Sequence, residues 1–141
     1  MNNLIIKRSQ LIEAQFTGTP ATGKKYQFNE IPNISRNNIV VYGFEAFTAT
    51  QLSTTPNNNT VVASGVSDQL VVTFIDNDNK ERVYQLPYYT AIRSLNGGFV
   101  LMVKPFILNL TRSYVQITDA TGISSNQVAS FNLYYSIVGE D

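Results

Sequence analysis

Two stretches carry residue types that could handle phosphate. Gly18 to Lys25 reads GTPATGKK, which fits G-x-x-x-x-G-K, most of the loop with which nucleotide-hydrolysing enzymes cradle phosphates. Leu70 to Asp76 reads LVVTFID, an apolar run ending in the kind of acid that holds magnesium in such enzymes. The chemistry fails on what must surround it. A phosphate loop needs a helix N-terminus after the lysine, because the helix amides bind the anion. Here Lys24 is followed by KYQFNE, which alternates like a strand. Lys25 stands where the magnesium-binding hydroxyl belongs, and Pro20 removes a backbone donor from the cradle. The segment is expected to be a surface loop.

Other chemistries are as poorly served. The 141 residues include no histidine and no cysteine. That removes the commonest general base, the commonest transition-metal ligand, every thiolate site and every disulfide. DNDNKE, Asp76 to Glu81, has alternating Asp and Asn as calcium loops do, but lacks their glycine and distal glutamate. A hairpin turn explains it better. Three Asn-x-Ser/Thr sequons, at Asn33, Asn58 and Asn109, match chance for a chain with 15 asparagines. No catalytic, cofactor-binding or metal-binding residue is nominated.

The composition favours association. Ten basic and ten acidic residues give zero net charge, and charged residues are only 14% of the chain. A nucleic-acid binder would carry a basic excess. Asn, Gln, Ser and Thr make up about a third of the residues, so the surface is polar but weakly charged. No apolar run is long enough for a membrane-spanning helix, so no membrane insertion is expected. The start, MNNLIIKRSQ, places its charges after a short apolar run, the reverse of a secretory leader, and export by that route is not expected.

The dominant period is two. Ala129, Phe131, Leu133, Tyr135 and Ile137 alternate with Ser130, Asn132, Tyr134 and Ser136, which reads as a half-buried strand. QLVVTFI and KERVYQL flank the turn formers Asp76 to Asn79, predicting a hairpin. Further strands are expected at LIIK, KYQFNE, NIVVYGFEAFTA, GGFVLMVK, PFILNL and SYVQIT, with a weak one at TVVAS. Gly43 suggests a bulge or bend, and Pro105 an edge or a break between two strands. Only SQLIEAQF and YYTAIRSL have helical spacing, and both are short. The expectation is an all-β chain: an antiparallel β-sandwich of eight or nine strands in one domain over 1–141. Residues 1–16 form a candidate N-terminal arm, because Leu4, Ile5 and Ile6 are apolar where a solvated tail would be polar. Contacts are expected to hold both chain ends. Tyrosine pairs at 88–89 and 134–135 are assigned to core plus interface.

A chain free of His and Cys, rich in Asn and Thr, with about eight short strands, resembles the single jelly-roll proteins of icosahedral virions. These include vertex (penton) and minor capsid proteins of tailless bacteriophages and small decoration proteins of phage heads. The resemblance implies two facing four-stranded sheets in a single jelly roll. It implies a non-enzymatic role in the virion capsid, after assembly in the host cytoplasm. The implied partners are further copies, in a three- or five-fold oligomer, and other capsid proteins. It transfers no catalytic residue, and no cofactor, small-molecule substrate or nucleic acid is expected, the last because the chain lacks a basic excess. The candidate assembly interface is Leu4, Ile5, Ile6 and Tyr134. The alternative is a carbohydrate- or receptor-binding sandwich of the spike or lectin type.

Overall fold

A computed structural model describes residues 8–31, 34, 38–95 and 97–137. Among these the chain forms strands β1 (Arg8–Gln15), β2 (Lys25–Gln27), β3 (Ile39–Phe47), β4 (Leu70–Ile75), β5 (Glu81–Pro87), β6 (Leu101–Ile107), β7 (Tyr114–Ile117) and β8 (Val128–Ile137). Short 3-10 turns occupy Ser64–Gln69 and Tyr88–Ala91. One sheet has the order β1-β8-β3-β6 and the other β2-β7-β4-β5, and all strand pairs are antiparallel. The protein is an all-β sandwich of two four-stranded sheets.

The core follows the predicted alternation. On β8, Ala129, Phe131, Leu133 and Tyr135 are buried between the sheets. Opposite them in the second sheet lie Leu70, Val72 and Phe74 of β4 and Val115 and Ile117 of β7. The Phe131 ring meets the rings of Phe28, Phe44, Phe74 and Tyr88 edge-on, with centroids 5.0–6.1 Å apart. Edge-on aromatic contacts of this kind add to the gain from burying apolar area.

Strand β3 contains a bulge. Val41 pairs with Tyr135 and Gly43 with Tyr134, so Tyr42 is an inserted residue. The insertion changes which parity faces inward. Ile39 and Val41 are buried before it, Phe44 and Ala46 after it. The bend expected at Gly43 is this bulge. Facing it on β6, the pairing jumps from Phe106 to Met102, and Pro105 lies in the unpaired interval. GGFVLMVK and PFILNL therefore contribute to one edge strand, where a proline without a ladder donor is tolerated.

The two segments with helical spacing are not α-helical. Ser9–Gln15 belongs to β1, whose eight residues pair continuously with β8. Tyr88–Ala91 makes a single 3-10 turn that buries Tyr88 completely and leaves Tyr89 exposed. The Tyr88 hydroxyl accepts the Ser130 amide at 2.9 Å and directs its proton toward the Phe47 and Ser130 carbonyls. It closes the end of the β3–β8 ladder, and burial pushes its phenol well above the ordinary range. TVVAS makes isolated bridges at Thr60 and Val61 rather than a strand. LIIK and both chain ends lie outside the described residues.

Two neighbours on β8 test this register. Phe131→Ala should destabilise the fold by about 3–5 kcal/mol, as loss of a buried aromatic does. Asn132→Ala, on the outward face, should cost less than about 1 kcal/mol. Chemical denaturation of both variants measures the difference, and equal losses would contradict the register.

Candidate interaction surface

The polar groups that looked chemically active are engaged in local structure. Asp76 closes the β4–β5 hairpin. Its Oδ1 accepts the amides of Asp78 at 2.9 Å and Lys80 at 2.8 Å, and its Oδ2 meets Arg82 Nε at 2.5 Å. The Lys80 amide above all, helped by Arg82 and the Asp78 amide, holds this carboxyl below its usual range despite its burial. Asn79, with φ 62°, takes the left-handed position the turn requires. The carboxylate completes a turn, as the hairpin reading expected. Gly23 and Lys24 lead directly into β2, so no helix N-terminus follows them. Among the described residues no group of three or more His, Cys, Asp or Glu side chains is placed to hold a metal.

What remains is surface. The outward face of the β1-β8-β3-β6 sheet has a row formed by Ser9, Tyr134, Gly43 and Met102, which are paired across four strands. Gly43 is there for space. A Cβ at this position would lie 3.1 Å from Met102 Sδ and 3.2 Å from Val100 Cγ1. Its absence lets the methionine lie flat against the bulge. Met102 is 65% exposed, and Leu95 and Phe99, from the turn that leads into β6, are 62% and 74% exposed. With three large apolar side chains this open between residues 95 and 102, the turn and start of this edge strand present an apolar patch along the chain, where single exposed leucines are common on any protein.

Beside this patch sits a polar cluster. Glu45 is almost fully buried although it faces outward. Ile92 forms a parallel bridge to Ala46 beyond the end of β6, which places Arg93 next to Glu45. Arg93 Nη2 donates to Glu45 Oε2 at 2.8 Å and contacts Tyr134 Oη at 3.2 Å. The Tyr134 hydroxyl also donates to Glu45 Oε2. Burial first, and then the Glu45 carboxylate, raises the Tyr134 phenol above its ordinary value. A second outward carboxylate, Glu13 on β1, is covered by the loop between Thr54 and Thr60. Asn57 Nδ2 donates to it at 2.6 Å and Asn59 Nδ2 at 3.1 Å.

Of the residues nominated from sequence, Tyr134 lies half-buried on this outward face, in the cluster just described. Leu4, Ile5 and Ile6 lie outside the described residues, so the structure does not bring them together with Tyr134. Of the candidate arm over 1–16, Arg8–Gln15 forms β1. Sequence reasoning missed Met102, Phe99, Leu95, Glu45 and Arg93. Only the run of apolar residues after the Gly97–Gly98 turn signalled the patch, and it was read as an ordinary strand. No family model, no curated protein and no solved structure matches this chain.

Asp76 gives a pH-dependent test. Its carboxyl is lowered in the folded protein, so it contributes stability above its unfolded value near ~3.9, and that contribution disappears as pH falls through the folded value. Asp76→Asn should lower the melting temperature at pH 7 and flatten the loss of stability on acidification below about pH 4. Thermal melts of both proteins between pH 2 and pH 7 measure this; parallel profiles would contradict the assignment.

Proposed function

We propose that this chain is a single jelly-roll structural subunit of an icosahedral virion shell, at a vertex or in a minor or decoration position. The observation that carries this reading is strand order. The sheets β1-β8-β3-β6 and β2-β7-β4-β5 interleave the chain, and among the described strands only the β4–β5 connection stays within one sheet. Two Greek keys wound together, as in the eight-stranded jelly rolls that serve repeatedly as capsid subunits, would give this order, and that supports the reading. The same architecture also carries lectins and cupins, so the fold alone does not assign a role.

Three features of the surface favour assembly over ligand chemistry. The outward carboxylates Glu13 and Glu45 are satisfied by neighbours in the same chain. The open apolar side chains Leu95, Phe99 and Met102 cluster at one sheet edge, where a neighbouring subunit would remove them from water. Zero net charge keeps repulsion between copies weak. In this reading the Met102 patch and Tyr134 meet a neighbouring subunit. Leu4, Ile5 and Ile6, ahead of the edge strand β1, form an arm that adds to the contact. The partners are further copies at a three- or five-fold position and other capsid proteins.

The experiment is solution mass by light scattering, for the chain alone and mixed with the other shell proteins of its source particle. Wild type should form a closed oligomer or join one. Met102→Asp combined with Phe99→Ser should weaken that association by about tenfold or more while leaving the melting temperature within a few degrees. A wild type that stays monomeric under all these conditions overturns the reading. Selective binding on a glycan array in its place would favour a lectin-like module.

A further inference from the structure

A second surface, at the opposite end of the sandwich from the end of β8, carries an unbalanced positive charge. Where β1 ends beside β2, a shallow groove of about 390 Å³ is walled by Gln15, Thr17, Lys24, Lys25, Gln27 and Tyr114. Among the described residues no carboxylate lines it. Lys24 Nζ lies 5.2 Å from the Tyr26 ring centre, and Lys25 Nζ 4.7 Å from that of Tyr114. Among the described residues neither lysine has an acidic partner. The rings hold both ammonium groups at the groove, which lowers the entropy an anion must remove to bind them. In a chain of zero net charge this is a local excess of two positive charges.

The sequence after Ile137 is Val138, Gly139, Glu140 and Asp141, two apolar or small residues and then two acids. Its own groove is out of reach. Gln15, in the groove wall, pairs with Val128 at the start of β8, while the acidic segment follows Ile137 at its end. Those ends are nine residues apart, about 30 Å at ~3.3 Å per residue. Four residues span at most about 14 Å.

We propose that the Glu140–Asp141 segment of one copy docks in the Lys24/Lys25 groove of the next. The contact is head-to-tail, so repeated copies close into a ring when the rotation between them permits. The proposal rests on the reading of the chain as an assembling subunit and names the surfaces that join.

The direct test uses a peptide with the sequence of Ser136 to Asp141, blocked at both ends, titrated into the isotope-labelled full chain. Amide shifts should map to Lys24, Lys25 and Tyr114, and the apparent affinity should fall steeply with added salt. Lys24→Glu with Lys25→Glu should weaken binding by about tenfold or more, while a peptide with both acids changed to lysine should bind this variant and not the wild type. Lys24→Gln with Lys25→Gln supplies the same loss of binding if the reversed charges impair folding. In the full chain, Glu140→Lys with Asp141→Lys should lower the oligomer mass, and combining it with the reversed lysines should restore it. No shift at millimolar peptide, or shifts confined to Arg8 and Tyr135 near the end of β8, overturns the docking site. An oligomer indifferent to all four charges overturns it too, while leaving the shell reading intact.

Discussion

The ring of Phe131 sits where both sheets meet, and the arrangement of the sandwich depends on what surrounds it. Its aromatic neighbours come from the segment after β2, from β3, from β4 and from the turn after β5. These four places are far apart in sequence, and burying their apolar area against one ring joins them. Tyr88 adds a directional constraint. Its ring packs on Phe131 while its hydroxyl occupies the end of the β3–β8 ladder, so the turn that follows β5 is tied to the other sheet. A polar group at such depth persists because its hydrogen-bonding capacity is filled.

The second determinant is the single inserted residue, Tyr42. Without it, continuous alternation from Ile39 and Val41 would place Gly43 and Glu45 inside and turn Phe44 outward. With it, Phe44 joins the aromatic core and Gly43 and Glu45 move to the outer face. Gly43 then provides the flat ground on which Met102 lies, and Glu45 becomes the acceptor for Arg93 and Tyr134. One local irregularity thus composes both the core and the outward face next to the exposed patch.

The parts legible in the sequence are those where one face of a strand is buried by its nearest neighbours. β8 alternates cleanly because Phe131 and Leu133 face the core while Asn132 and Tyr134 face out. The β4–β5 hairpin is legible because turn chemistry is local to Asp76 and Asn79. β1 is not, because both of its faces are covered in part. Leu11 is half-buried on the outer side, Ile12 is buried on the inner, and the loop at Asn57 and Asn59 covers Glu13. Loss of alternation makes a short apolar run look helical. The burial of Glu13 and Glu45 depends on partners more than forty residues away, which no local pattern encodes. The apparent phosphate loop misled for the converse reason: its spacing is local, but its chemistry would have required a helix that this topology does not supply there.

The placement of charge bears on which symmetry the surface favours. Glu13, Glu45 and Asp76 are neutralised or solvated by groups of their own chain, so they contribute little to recognition. Lys24 and Lys25 lie at one end of the sandwich, and Glu140 and Asp141 follow the strand that ends at the other. A twofold contact through the lysine groove would bring like charges together and be penalised. A head-to-tail contact brings opposite charges together and leaves one donor end and one acceptor end for the next copy. In the proposed assembly, neutrality overall and the distance between the lysine pair and the acids are therefore compatible demands: the first would keep copies from repelling one another, and the second would give their association a direction.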